Sequence, residues 1–297
     1  MHRPRVPSAR AAVPWIALLA VLWAGTPLAA NDTLVIRMRP ALESRLAPDA
    51  PYKTELLRLI LEKTEAEDGP YRIEYVEETV QGRVIEMINT GDMSLIITMT
   101  SQEREDRLRP IRIPVFKGLY GYRALIINRA DQARFEAIQS VEELKALWAG
   151  QGHDWPDLEI LQANGFNVVG GSDYHALFDM LAKRRFDYFP RGLHEPWLEV
   201  AEHPDLDLIV DRHLIIHYPA PGYIFVAKDN AALAERLERG FRAAIADGSF
   251  DAFFRTHPDM TETLALGQLD TRLIFEVPNP LLSPETPLDQ PELWYRP

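Results

Sequence analysis

Apolar and polar positions along this chain alternate in two rhythms, and the switches between them mark out an α/β protein. Residues 33–38 (TLVIRM) are β-branched and apolar enough for a buried strand, whereas 52–63 places Leu56, Leu59 and Ile60 at helical spacing. Tyr71, Ile73 and Tyr75 return to a period of two. Val84, Met87 and Ile88 form a helical stripe that stops at Thr90-Gly91, where glycine accepts the left-handed backbone that ends a helix. Residues 95–97 and 122–128 (YRALIIN) read as buried strands. This β-α-β-α-β order predicts an open sheet with helices on its faces, because each amphipathic helix must bury its apolar stripe against the sheet.

The pattern then restarts. Ser140-Val141-Glu142-Glu143 has the form of a capping box, in which the hydroxyl and the carboxylate satisfy free N–H groups at a helix start. Val141, Leu144, Leu147 and Trp148 are the expected apolar face of that helix. A second short helix is expected from about 155 to 164, ending at Gly165. Strands at 166–169 and 186–189 flank a helix bearing Tyr174, Leu177, Phe178 and Leu181. A helix over 193–202 leads to a strand at 208–210. Residues 222–227 (GYIFVA) open a third stretch, followed by a helix with Leu233, Leu237, Phe241 and Ile245 on one side and another beginning at Ser249. Beyond about Glu276 the chain is proline-rich (VPNPLLSPETPLDQPELWYRP), which excludes regular helix and central strand, because proline lacks an N–H and fixes φ. Leu281, Leu282, Trp294 and Tyr295 would fasten such a tail to the body; a partly loose tail is the alternative. There is no internal repeat.

The first thirty residues read differently. Arg3, Arg5 and Arg10 precede an unbroken apolar run at 15–23, and Pro27-Leu28-Ala29-Ala30 supplies small residues before Asn31, as in a cleavable export signal. The run falls short of the roughly 20 apolar residues a bilayer span takes; a retained anchor is the alternative. An exported, periplasmic and soluble protein is expected. Loss of the three leader arginines takes the formal charge from −12 to −15, a surface that repels phosphate backbones, so nucleic acid is excluded as a partner. The chain has no Cys, which excludes lipid attachment, disulfides and thiolate chemistry. Its histidines show no paired metal-ligand spacing, and no nucleophile-elbow or phosphate-loop motif is present. No metal, no cofactor and no catalytic residue are expected.

Three segments resemble the periplasmic solute-binding proteins of the amino-acid (family 3) type. Residues 83–104 (RVIEMINTGDMSLIITMTSQER) are similar to that family's helix, glycine turn, buried strand and ligand loop. Residues 116–128 (FKGLYGYRALIIN) look like the crossing into a second lobe, and 225–254, with DGSFDAFF near the end, like the return strand and paired C-terminal helices. The resemblance implies a two-lobed type 2 periplasmic-binding fold. One lobe would comprise about 31–120 plus 219–297, and the other about 121–218. Two crossover strands would form the hinge, and a ligand cleft would lie beyond the carboxyl ends of the strands.

Three loops are then candidate walls. Thr98, Thr100, Ser101 and Arg104 follow the 95–97 strand; the resemblance implies that the hydroxyls surround a ligand carboxylate while Arg104 grips it bidentately, as a guanidinium suits. Surface pairing of Arg104 with Glu103, Glu105 or Asp106 is the alternative. Gly152, His153, Asp154 and Trp155 precede a helix whose N-terminus favours an anion; the alternatives are that His153 or Asp154 caps that helix, and that Trp155 joins the core instead of stacking on a ligand. Arg191, Gly192 and Glu195 follow the last strand of the second lobe. The resemblance puts an amine-binding aspartate at or near Gly192, and this sequence lacks it. Arg191 would add a second cation for a dianionic ligand, or Glu195 would take over the amine; pairing of Arg191 with Glu195 or Asp187 is the further alternative. Arg39, Glu78, Tyr120 and Tyr218 are secondary candidates.

The expected function is capture of a small polar solute, anionic or zwitterionic, by a monomer that serves a membrane importer or sensor. The alternatives are an accessory protein with a degenerate cleft, and a lyase-type enzyme on the same scaffold with Glu195 or His153 as acid or base.

Overall fold

Strands form where apolar residues run on both faces, and the loops between their carboxyl ends and the following helices gather at one side. The computed structural model describes residues 1–2, 33–39, 51–76 and 81–295; residues 3–30 of the expected leader and Glu78 lie outside them. The chain begins with β1 (Leu34–Met38), α1 (Tyr52–Glu62), α2 (Glu65–Asp68), β2 (Tyr71–Tyr75), α3 (Gln81–Thr90), β3 (Leu95–Met99), α4 (Gln102–Arg107) and β4 (Leu108–Ile111). It crosses over into β5 (Tyr122–Asn128), α5 (Gln132–Glu136), α6 (Val141–Lys145), β6 (Trp148–Gly152), α7 (Pro156–Ala163), β7 (Asn167–Gly171), α8 (Tyr174–Ala182), β8 (Tyr188–Gly192), α9 (Pro196–Glu202) and β9 (Leu208–His217). It returns through β10 (Gly222–Ala227), α10 (Ala231–Ala246), α11 (Ser249–Thr256) and α12 (Pro258–Gly267), and adds β11 (Leu273–Glu276).

The first lobe is built on β3-β10-β4, with the parallel pair β1-β2 beside it. Ser94 joins the two, donating its N–H to Arg37 O at 2.8 Å and accepting the Arg37 N–H on its hydroxyl at 3.0 Å. Helix α10 lies against α1 so closely that a Cβ on Gly240 would stand 2.1 Å from Ile60 O. The second lobe is a six-stranded sheet in the order β11-β9-β5-β8-β6-β7. The expected two-lobed α/β architecture is therefore present.

Four elements differ from expectation. The capping box at Ser140 is formed, but α6 stops at Lys145, and Trp148, half exposed, opens strand β6 instead of extending the helical face. Strand β8 starts later and takes in Pro190. That proline is tolerated because β6 pairs with β8 only at Ala149–Tyr188, and beyond that point the Gln151 side chain donates to Pro190 O at 3.0 Å. Strand β9 continues to His217 across an irregularity in its register with β5, where Asp211 accepts the N–H groups of His213 and Leu214. Strand β11 joins the second-lobe sheet, parallel to β9, although residues after 219 were expected in the first lobe; Leu273–Glu276 is proline-free and adds to an open edge.

The proline-rich tail is tied to α4, to the end of α7 and to both crossovers, the first of them through the Tyr295 N–H, which donates to Lys117 O at 2.7 Å. Asn164 donates to Pro278 O, Asn279 to Pro219 O, and the Gln102 N–H to Leu281 O, at 2.8, 2.7 and 3.2 Å. Trp294 lies over Gly118, a glycine at φ 85° whose Cβ would lie 2.5 Å from the indole. Gly118→Ala is therefore expected to cost about 1–3 kcal/mol, from strain at positive φ and displacement of the ring. Limited proteolysis should show earlier cleavage in the tail; an unchanged pattern and unchanged melting would contradict this.

Candidate ligand cleft

A cleft of about 1050 Å³ opens between the two sheets, at the upper end of small-molecule sites. Its walls come from the carboxyl ends of β1, β3, β6, β7 and β8 and from the helices that follow them, the place where open α/β sheets bind ligands.

On the first lobe, Ser101 caps α4 by accepting the Arg104 N–H at 3.3 Å, and the Thr100 hydroxyl donates to Glu105 at 2.6 Å. Both side chains serve the helix and neither lines the cleft, contrary to expectation. Thr98 and Arg104 do line it. The Arg104 guanidinium donates to Met99 O at 2.6 Å and lies 3.5 Å from the Thr98 hydroxyl. Burial pulls its pKa below the ordinary value, against the opposing charges of Asp157, Glu103 and Asp154. The acids expected as its surface partners are engaged elsewhere: Glu105 with Arg112 at 2.6 Å, Asp106 with Gln102 at 3.0 Å, Glu103 with Arg107 at 3.4 Å.

On the second lobe, Gly152 packs under Trp155, where a Cβ would meet the indole at 2.5 Å. The glycine thus serves close approach of a ring, and the ring walls the cleft together with Asp154. His153 is turned away: its Nδ1 lies 3.2 Å from Gly171 O and its side chain is 60% exposed, so it leaves the candidate set. In the first turn of α7, Asp157 pairs with Arg123 at 2.7 Å and accepts the Tyr218 hydroxyl. Arg123 also reaches Met99 Sδ at 3.0 Å, linking the two lobes at the cleft floor.

Arg191 is not available to a dianion. Its Nε donates to both oxygens of Glu199 at 2.8 and 2.9 Å, its Nη2 donates to Glu199 at 2.6 Å, and Glu195 stands 3.2 Å away. Asp187 instead pairs with Arg134 at 2.8 Å. Gly192 contributes through its backbone: its N–H donates to Glu195 at 2.7 Å, and a Cβ there would lie 2.9 Å from that carboxylate oxygen. The Glu195 carboxylate thus occupies the space beside residue 192 where an acidic side chain was expected.

Arg123, Asp157, Tyr174 and Glu199 were missed. Arg123 is the one charged residue in an apolar strand, and Glu199 lies one helical turn after Glu195; these were the available signals. Among the secondary candidates, Arg39 and Tyr120 line the cleft, and Tyr218 is buried on Asp157.

Charge is divided across the cleft. Among the described residues the first-lobe wall carries Arg39, Lys53 and Arg104 and no carboxylate, while the second-lobe wall carries Asp154, Asp157, Glu195, Glu199 and Glu202 against Arg123 and Arg191. Burial pushes Glu195 up, but Arg191, His194, Arg123 and the Gly192 N–H outweigh it and hold the carboxyl at about 2. Burial raises Glu199 above its ordinary value despite Arg191. A depressed carboxyl contributes stability above its ordinary value of 4.5 and loses it as pH falls toward about 2, whereas the raised Glu199 works in the opposite sense. Melting temperature should therefore fall between pH 4.5 and 2 less steeply in Glu195→Gln than in the native protein; parallel curves would refute the assignment. Among the described residues no group of three or more His, Asp and Glu is placed to hold a metal ion.

No protein-family model matches the sequence, and no curated protein matches it. Solved structures do match in fold. An ancestral arginine-binding protein bound to arginine is 16% identical, with 76% of this chain and 98% of that one covered and a TM-score of 0.54. A periplasmic His/Glu/Gln/Arg/opine family-binding protein from Silicibacter pomeroyi, in complex with lysine, is 11% identical, with 75% and 95% covered and a TM-score of 0.55. A histidine kinase sensor domain with similarity to periplasmic binding proteins is 16% identical, with 75% and 95% covered and a TM-score of 0.53. Sheet order, crossovers and these likenesses agree: the chain has the two-lobed type 2 periplasmic-binding fold.

Proposed function

We propose that this protein is a periplasmic solute receptor that holds a small zwitterionic solute in the interlobe cleft. The observation that carries the reading is the division of charge among the described residues, with Arg104, Arg39 and Lys53 on the first-lobe wall facing the acidic second-lobe wall. A solute carboxylate would lie at Arg104 and Thr98, and its amine at Asp154 and Glu195. A dianion is disfavoured because Arg191 already serves two carboxylates. Binding is favoured over turnover: Glu195, held at about 2, stays ionised at neutral pH and is a poor proton donor, and Glu199 is engaged by Arg191 and Tyr174. Such a receptor would deliver its solute to a membrane importer or report it to a membrane sensor.

A thermal-shift panel of small amino acids, dicarboxylates, amines and sugars tests this, since a bound solute raises Tm by mass action. Saturable stabilisation by an amino acid, with none by dicarboxylates, is expected. Stabilisation by dicarboxylates alone would overturn it.

A further inference from the structure

Three aromatic rings surround one guanidinium on the second-lobe wall. The central carbon of Arg191 lies 4.7 Å from the ring centre of Trp155, 5.2 Å from that of Phe189 and 5.7 Å from that of Tyr174. Glu199 grips it with both oxygens and Glu195 stands 3.2 Å from its Nη2. Neither carboxylate depends on Arg191 alone for its orientation. Glu199 accepts the Tyr174 hydroxyl at 2.7 Å, and Glu195 accepts the Gly192 N–H at 2.7 Å. Aromatic faces combined with carboxylates make a box for an organic cation, strongest when shielded from water. The Arg191 side chain is only 9% exposed, yet it borders the cleft. The box therefore opens toward the solute space and is filled by the chain's own residue.

We propose that Arg191 is a specificity-determining residue: it fills a cation box from within, so that the cleft refuses guanidinium and long alkylammonium groups, and its removal uncovers a guanidinium-binding site. This deepens the receptor reading and rests on it for its biological meaning, since the amine end of the solute would then stop at Asp154 and Glu195. Phe189 and Arg191 share β8, Trp155 precedes α7 and Tyr174 opens α8, so truncating the arginine leaves walls held by three separate elements.

The test is chemical rescue of Arg191→Ala by ethylguanidinium, at low millimolar concentrations far below those that denature. Saturable stabilisation of the variant, at least tenfold tighter than any response of the native protein, is expected. Ethylammonium, which lacks the planar group, should rescue more weakly. Equal responses of the two proteins, or none in the variant, would overturn the proposal. If Arg191→Ala fails to fold because two carboxylates are left with one another, recovery of folding by ethylguanidinium supports the box. Arg191→Ala with Glu199→Gln removes one of the two charges and should still bind ethylguanidinium more tightly than the native protein; no response in either variant refutes it. Because the rescue uses no amino acid, rescue together with an unresponsive amino-acid panel would sink the receptor reading alone.

Discussion

Asp157→Ala is expected to lower the stability of the folded chain by about 3–5 kcal/mol, a fall in Tm of roughly 10 °C. The Asp157 carboxylate is the partner of Arg123 at 2.7 Å and the acceptor of the Tyr218 hydroxyl, and all three side chains are buried. Removing the acid leaves a guanidinium that is only 4% exposed without its carboxylate, and an uncompensated buried charge costs far more than the pair itself contributes. The site is also where the lobes meet, since Arg123 touches Met99 and Tyr218 belongs to the second crossover. Replacing both members, Asp157→Leu with Arg123→Met, should recover most of the loss, because the desolvation cost disappears with the charges. Urea unfolding of the single and double variants measures this. A single variant within about 1 kcal/mol of the native protein would show that water reaches the pair.

Arg104→Ala should weaken binding of the solute by at least about 30-fold, the loss expected when one member of a desolvated charge pair is truncated. Arg104 is buried beside Thr98 on a wall whose described residues carry no carboxylate, and a lysine or an amide cannot reproduce its bidentate grip. The amide of the same solute separates this from general damage. The native protein should bind the amide poorly, whereas the variant should scarcely distinguish amide from acid. Equal discrimination by both proteins would place the carboxylate elsewhere.

Much of the fold was readable from periodicity, because strands β5 and β10 and helices α1, α8 and α10 have clean apolar patterns that tertiary contacts reinforce. What was missed has physical reasons. Strand β6 begins at an exposed tryptophan and contains two glycines, so it lacks a strand pattern, and β8 contains a proline that is tolerated because pairing with β6 stops at Tyr188. The tail's binding to both crossovers depends on the backbone carbonyls of Pro219 and Lys117, which carry no residue signature.

The site was readable in part. Arg104, Asp154, Trp155, Arg191 and Glu195 border the cleft, while Thr100, Ser101 and His153 are drawn into caps and backbone contacts. Which of several acids pairs with Arg191 was beyond the sequence: Glu195, Asp187 and Glu199 lie within eight residues of it, and only the turn of α9 brings Glu199 under the guanidinium. The empty position at Gly192 is explained by the same turn, which carries Glu195 back over the glycine.

The central claim is that the cleft holds a solute of opposite end charges. Native mass spectrometry of the purified protein, followed by identification of what it releases on denaturation, tests it most directly. A near-stoichiometric small molecule bearing one carboxylate and one amine, and lost in Arg104→Ala, is the predicted result. A stoichiometric solute lacking either charge, or one retained unchanged by Arg104→Ala, would contradict it.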